Sequence, residues 1–340
     1  MGKYLRLAVA LDGSPHAERI LPIAVKLAKL LPAEILLLHV CMEPSSAEET
    51  DSASPEEAEQ NFKPLVYLAQ LKQRLTGTPK GSFLPPHQVL TKVIYGKFAY
   101  ELGEVAAEEG ADLLLMTTHG RSGLSLLTMG SIATGVLKHG HHPLLLFRPE
   151  ETEISLEEAL KEVDNRPPNQ ILLALDGTPK AEAALEPALK MAKDLKIPLH
   201  LVEVIYPVTP IIMSEPGLDY QMLVEIEKYE EEALARIAAQ YLIKVVKWLK
   251  EQAPSVTVET TVLKGMPEAQ LAIFIHAVKP FMVVMATHAR NELGQLFLGS
   301  VAEEVLRKSH SPVLMVPIPK GFKGYGLQVE ENKKPLTLGS

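Results

Sequence analysis

The chain of 340 residues is poor in the features that mark several functional classes. It holds one cysteine, Cys41, which excludes an intrachain disulfide and any cysteine-based zinc site and suits a reducing compartment. Aromatic residues make up only 5%, so the core has to be built from Leu, Ile, Val, Ala and Met. Basic residues number 34 against 42 acidic ones, for a net charge of −8. Such a chain has no cationic excess with which to release counterions from a polyanion, so nucleic acid is not expected as its ligand. No apolar run is long enough to span a bilayer. Met1 to Lys3 lead straight into a strand-like segment, without the charged and then apolar pattern of a signal peptide. A cytoplasmic protein without a membrane partner is the expectation.

Several catalytic signatures are absent too. The phosphate-loop pattern fails because Thr91 stands where Gly96-Lys97 would need its upstream glycine. No G-x-G-x-x-G follows a strand, no H-E-x-x-H occurs, and Gly120-Arg121-Ser122-Gly123 is one residue short of a nucleophile elbow. The run His139-Gly140-His141-His142 has the composition of a metal site. Its place between a helix end and a strand suits carbonyl capping equally well. The second half has Lys308-Ser309-His310-Ser311 there, so no metal site is expected.

What the chain does contain is itself, twice. Leu7-Ala8-Val9-Ala10-Leu11-Asp12-Gly13-Ser14-Pro15 recurs as Leu172-Leu173-Ala174-Leu175-Asp176-Gly177-Thr178-Pro179, at an offset of 164. Val93-Ile94-Tyr95-Gly96, Thr118-His119, Gly130-Ser131 and His142-Pro143 recur as Val262-Leu263-Lys264-Gly265, Thr287-His288, Gly299-Ser300 and Ser311-Pro312, all at 169. The change of offset places one length difference between Val40 and Val93. This period is too long for a solenoid and marks a duplicated domain. The expected division is 1–149, an acidic linker 150–169, 170–319, and a peripheral tail 320–340.

Each half alternates strand and helix. Residues 5–11 form a short apolar run stopped by Asp-Gly, the mark of a buried strand. Ser14 can cap a helix with Pro15 at its first position, and apolar residues from Ile20 to Leu31 recur at helical spacing. Further strands are expected at 35–40, 88–94, 112–117 and 143–147, with helices at about 56–75 and 97–109 and from Ser131. The second half repeats the order with a longer helix, about Gln221 to Gln252, whose stripe through Tyr241, Val245 and Trp248 suits core packing. Within 150–169, Ile154, Leu156, Ala159 and Leu160 show a short helical pattern ended by Arg166-Pro167-Pro168. The fold class is α/β: two tandem Rossmann-like open sheets, each of five parallel strands with helices on both faces.

In such sheets ligands bind beyond the carboxyl ends of the strands. Asp12 ends the first strand and can accept hydrogen bonds from sugar hydroxyls or an amino group, or can serve as a turn residue. The loop Thr117 to Gly123 supplies glycines, and Gly130-Ser131 opens a helix whose free N–H groups suit phosphate. A plain capping role for Ser131 stays open, as does a Ser300–Glu303 capping box in the second half. His119 and His288 each follow a strand-four Thr and read as loop-orienting residues. Cys41 has no cation nearby in sequence to stabilise a thiolate.

The paired halves resemble a tandem universal stress protein of the UspA type, over about 145 residues in each half. Nucleotide-binding members carry G-x2-G-x9-G-[ST] after the fourth strand. The first half reads Thr117-x2-Gly120-x9-Gly130-Ser131, and the second Ala286-x2-Ala289-x9-Gly299-Ser300. The resemblance implies ATP or a related adenine nucleotide, with Mg or Mn on its phosphates. Asp12 would face ribose and adenine, Val40 would line the adenine, and Gly120, Gly130, Ser131 and the Ile132 amide would hold phosphates. Asp176, Val204, Gly299 and Ser300 take the matching places in the second half, where Ala286 and Ala289 would crowd the phosphates. The resemblance also implies pairing of the halves through their last strands, an internal pseudo-dimer open to higher homo-oligomers, and a stress-signalling role with a protein partner. A slow ATPase using His119 and Arg121, and a scaffold that binds no nucleotide, are the alternatives.

Overall fold

A computed structural model describes residues 5–41, 55–77, 83–95, 101–118, 130–139, 142–150, 154–206, 220–287 and 299–329. The first half runs β1 (Leu5–Leu11), α1 (Pro15–Glu18), α2 (Leu21–Leu30), β2 (Ala33–Cys41), α3 (Pro55–Thr76), β3 (Val89–Tyr95), α4 (Leu102–Glu108), β4 (Leu113–Thr117), α5 (Ser131–His139) and β5 (Leu144–Phe147). A linking helix α6 (Leu156–Asn165) follows. The second half runs β6 (Ile171–Leu175), α7 (Leu185–Leu195), β7 (Leu199–Ile205), α8 (Tyr220–Gln252), β8 (Val258–Lys264), α9 (Pro267–Val278), β9 (Met282–Ala286), α10 (Ser300–Lys308) and β10 (Val313–Val316).

The strands make one ten-stranded sheet in the order β3-β2-β1-β4-β5-β10-β9-β6-β7-β8. Each half is parallel throughout, and the halves pair through their last strands as the resemblance implies, which makes the two five-stranded sheets continuous. β5 and β10 pair antiparallel, with Leu145 opposite Leu314 and Leu144 opposite Met315. Both strands would otherwise be apolar sheet edges with unpaired N–H and C=O groups, and pairing them removes that liability. Alternation along the strands sorts the core into two layers. Leu7, Val9, Leu145, Leu173 and Leu314 face one side; Ala8, Leu114, Leu144, Val283 and Met315 face the other. Both layers run through both halves. Among the described residues no helix is long and apolar enough to cross a membrane.

Two local expectations change, and a third gains a partner. Ser14 does cap the first helix, accepting from the Ala17 N–H, yet that helix ends at Glu18 and a second begins at Leu21. Pro22 is the cause: it has no N–H to continue the ladder, and its ring would meet the Glu18 carbonyl. The linker forms the short helix its pattern predicts, and that helix is docked on the first half. Ser155 and Glu158 form a capping box, Leu160 is buried, and Lys29 reaches the Asp164 carboxylate at 2.9 Å. Arg74 of α3 bridges Glu18 at 3.1 Å and Glu157 at 2.8 Å, pinning α6 to the first half.

The tail after Pro319 is not peripheral over its described part. Its Tyr325 N–H and Gln328 side-chain amide both donate to the carboxylate of Glu182, a residue with no exposed surface. Tyr325 stacks on Trp248 of α8 with ring centroids 4.5 Å apart. Lys244 donates to the Gln328 carbonyl at 2.7 Å. Gly324, at φ +81°, lies so close to Glu182 and Pro179 that a Cβ would fall 2.7 Å from the carboxylate. Glycine is needed there for both reasons.

Candidate functional site

The strand order turns back between β1 and β4, so the crevice beyond their carboxyl ends is the switch point of the first half. β1 and β4 pair in register from Leu7 and Leu113 onward. That register brings Asp12, just past β1, to the same edge as Thr117 and Thr118. The Asp12 carboxylate accepts from the Ser14 N–H at 2.9 Å and the Ser14 hydroxyl at 2.6 Å. Asp12 is therefore a turn residue in the turn of Gly13, which has φ 81°.

The loop after β4 leaves and returns at one point. Thr118 donates to the Phe147 carbonyl at 2.9 Å, and Gly130 donates to the Thr118 carbonyl at 2.8 Å. The Gly130 carbonyl accepts from Thr134 at 2.9 Å, so Gly130 holds the cap position of α5 without a side chain to fill it. The amides of Ser131, Ile132 and Ala133 follow in the first turn, where a helix has no internal acceptor for them. An anion-seeking helix end is thus aimed at the strand edge that carries Asp12. Ile132 is exposed. Gly120, His119, Arg121 and Ala289 lie outside the described residues, as do the side chains of Val40 and Ser131.

The second half copies the turn and alters the rest. Asp176 accepts from the Thr178 N–H at 2.9 Å and its hydroxyl at 2.6 Å. Gly299 caps α10 as Gly130 caps α5, so Ser300 is the first helical residue, and the Ser300–Glu303 capping box that the spacing allowed does not form. The Ser300 hydroxyl instead donates to Glu268 of α9 at 3.2 Å. A carboxylate therefore stands beside the helix end where a phosphate would otherwise approach. Ala286 is the last residue of β9, in register with Val316. Its backbone is ordinary extended strand with no need of positive φ, and the same holds for Thr117 opposite Phe147. Neither residue carries backbone strain.

Beside Asp176 lies a second carboxyl that sequence reading passed over. Glu203 on β7 stands opposite Leu175, as His39 on β2 stands opposite Leu11. Glu203 is 8% exposed, and one of its oxygens has no hydrogen-bond partner among the described residues. Burial first, and the charge of Asp176 second, push its carboxyl up to about 7. Burial likewise drives the Tyr241 hydroxyl far above its usual range, with Glu182, Glu203 and Asp176 adding to it. In the first half His39 meets Tyr67 edge-on at 5.6 Å. The sequence signal was present as a His-to-Glu difference at matched repeat positions. Glu268 had its signal too, since Ala99 holds the corresponding place at the offset of 169.

Val204 packs in the layer that holds Ala174 and Leu263, at the end of β7. Cys41 closes β2 and is half-buried. Burial pulls the His142 imidazole below its usual range. Among the described residues no group of three or more His, Cys, Asp or Glu is placed to hold a metal ion.

Comparison with known proteins follows the duplication. A family model described as the universal stress protein family matches residues 3–148 and again 168–317. A universal stress protein of Methanocaldococcus jannaschii is 28% identical over 151 residues, 44% of this chain and 83% of that protein. One of Mycobacterium tuberculosis is 23% identical over 188 residues, 55% of each. The crystal structure of a universal stress protein from Archaeoglobus fulgidus aligns with a TM-score of 0.56 at 19% identity, covering 92% of this chain and 96% of that one. A functionally unknown protein of Pseudomonas aeruginosa aligns with a TM-score of 0.53 at 14% identity, covering 93% of each. These likenesses in structure establish the shared fold.

Proposed function

The chain belongs to the universal stress protein family, and on that premise we propose that its first half binds ATP or a related adenine nucleotide. Occupancy would bias the choice of a protein partner in a cytoplasmic stress response. The observation that carries this reading is the difference between the helix ends of the two halves. α5 opens on Gly130 with its first-turn amides aimed at the edge of Asp12, whereas α10 opens against the Glu268 carboxylate. A phosphate gains from the first arrangement and is repelled by the second.

In this reading Gly120, Gly130, Ser131 and the Ile132 amide hold phosphates, Asp12 meets the ribose and adenine, and Val40 lines the base. Asp176, Val204, Gly299 and Ser300 form a second, weaker place. There Glu203 sets an extra carboxyl next to Asp176, and the half serves chiefly as a fixed partner within the pseudo-dimer. The nucleotide supplies polyphosphate charge when bound; this chain's own groups orient it through amides and one carboxylate. No general base stands in the described crevice beside a partner that would activate water, so binding rather than turnover is the proposal.

The test is thermal unfolding with and without ATP and Mg²⁺ in wild type, Gly130→Asp and Gly299→Asp. Asp is a favoured cap residue, so Gly130→Asp should fold while placing a carboxylate where phosphate would bind. Nucleotide at 100 times its Kd stabilises by about 2.7 kcal/mol, a shift of several degrees. The expected result is a shift in wild type and Gly299→Asp that disappears in Gly130→Asp. No shift in wild type, with no nucleotide found by chromatography of the extracted protein, would overturn the reading in favour of a scaffold. Phosphate release in the same samples separates a binder from a slow ATPase.

A further inference from the structure

Away from both strand edges, a cavity of about 650 Å³ lies between the two halves beneath the linking helix α6. That volume is within the roughly 300–1,000 Å³ typical of small-molecule sites. Neither Asp12, Gly130, Asp176 nor Gly299 lines it. Its walls come from α2, the segment after β5, α6, the end of α9, and the residues leading into β9 and β10. Ile23, Phe147, Val163 and Phe281 give it apolar surface from both halves.

Its charge is opposite to that of the chain. Arg19, Lys26, Arg166, Lys279 and Lys308 line it against only Glu150 and Glu162, in a protein whose net charge is −8. Lys308 is neutralised by Glu304, which leaves a surplus of two. The carbonyl ends of α6, α9 and α10 also reach the cavity and carry about half a negative charge each, while the start of α2, which no side chain caps, returns about half a positive one. The balance is about one positive charge.

Lys26 localises that charge. It is 8% exposed, and its ammonium donates to a single neutral acceptor, the Asp164 carbonyl, at 2.9 Å. The Asp164 carboxylate is turned to Lys29 instead. Among the described residues Lys26 has no carboxylate within ion-pair distance, and neither Arg166 nor Lys279 makes an ion pair. Buried charges are ordinarily paired, because an unpaired ammonium loses its hydration without return. Capping the end of α6 accounts for one N–H of Lys26 and offsets about half of its charge, with no carboxylate to offset the rest.

We propose that this cavity is a binding site for a small amphipathic monoanion, its acidic head on Lys26 and its apolar body between Ile23, Phe147, Val163 and Phe281. Lys279 and Arg166 at the rim attract the same charge. Since both halves and α6 contribute walls, the ligand clamps the two halves together. This site does not depend on the nucleotide reading.

The probe is an anilinonaphthalene sulfonate, titrated by fluorescence into the full-length protein, with uncharged anilinonaphthalene as the matched neutral dye. One saturable site is expected, with the neutral dye bound at least tenfold more weakly. Lys26→Met keeps the side-chain volume and removes the charge; it should weaken the sulfonate about tenfold or more. Lys279→Ala, at an exposed wall position, should weaken it several-fold, and Gly130→Asp should leave it unchanged. Should Lys26→Met fail to fold by circular dichroism, Lys279→Ala decides the matter alone. Several weak sites, equal affinity for the neutral dye, or undiminished binding in the charge variants would overturn the proposal.

Discussion

Glu203 and His39 occupy the same register position of corresponding strands, and their difference shows how one substitution reshapes a duplicated site. At His39 an imidazole sits beside a phenol; at Glu203 a carboxyl sits beside Asp176 and below Tyr241, at the cost of its own ionisation. Folded Glu203 keeps its proton up to about 7, whereas in the unfolded chain it releases it near the ordinary value for Glu. The folded state therefore binds the extra proton between those values, and stability falls as pH rises toward and through about 7. Once ionised, the buried carboxylate costs about 3 kcal/mol. Glu203→Gln should raise the urea midpoint at pH 8, leave it nearly unchanged at pH 4, and flatten the slope between. An unaltered pH dependence would show that Glu203 is not the titrating group. Asp12 and Asp176 were readable in the sequence because the turn chemistry is local. The difference between Glu268 and Ala99 was readable at the repeat offset, but the meeting of Glu268 with Ser300 was not, because only the packing of α9 against α10 brings them together.

The elements themselves followed local patterns closely. Alternation and apolar runs located every strand of the first half to within a residue or two, and Ser14 and Pro15 marked the first helix start. The break at Pro22 was legible in principle, since a proline seven residues inside a helical pattern interrupts the ladder. The strap formed by residues 320–329 was not. Its Gly and Lys content describes a solvated tail, and its docking depends on Glu182, which belongs to a turn some 140 residues earlier. Burial pushes the Glu182 carboxyl up, while the Tyr325 and Leu327 amides and the Gln328 side chain draw it back. Removing residues 321–340 should strip that carboxylate of its donors, uncover the apolar face that Tyr325 shields, and lower stability by about 1–3 kcal/mol. Trp248 is the only tryptophan and stacks on Tyr325, so tail release should also shift its fluorescence. An unchanged spectrum and midpoint in the truncated protein would contradict the strap.

For the whole molecule, the seam between β5 and β10 decides whether two domains behave as one. Leu145 and Leu314 face each other there, both buried, and the core layers continue across it. One cooperative thermal transition is the expected behaviour of the wild type. Leu145→Asp would bury an unpaired carboxylate at the seam, cost about 3 kcal/mol or more, and separate the unfolding of the halves into two calorimetric transitions. A single transition that merely moves to lower temperature would mean that the halves are coupled mainly elsewhere, for instance through α6.

The sequence by itself determined the duplication, the alternation of strand and helix, the parallel order within each half, and the turn that places Asp12 beside a glycine-capped helix. Those features depend on patterns a few residues long, repeated at a constant offset, and so can be read along the chain. The resemblance implied that the halves pair through their last strands; only the tertiary structure decided the register of that antiparallel seam, that the tail closes over Glu182, that Glu268 faces the helix end of the second half, and that Lys26 lies buried in a cavity between the halves. Each of these is a meeting of residues far apart in sequence. What fixes them is the need to pair sheet edges and to give buried polar groups partners, and that need is not expressed in local spacing.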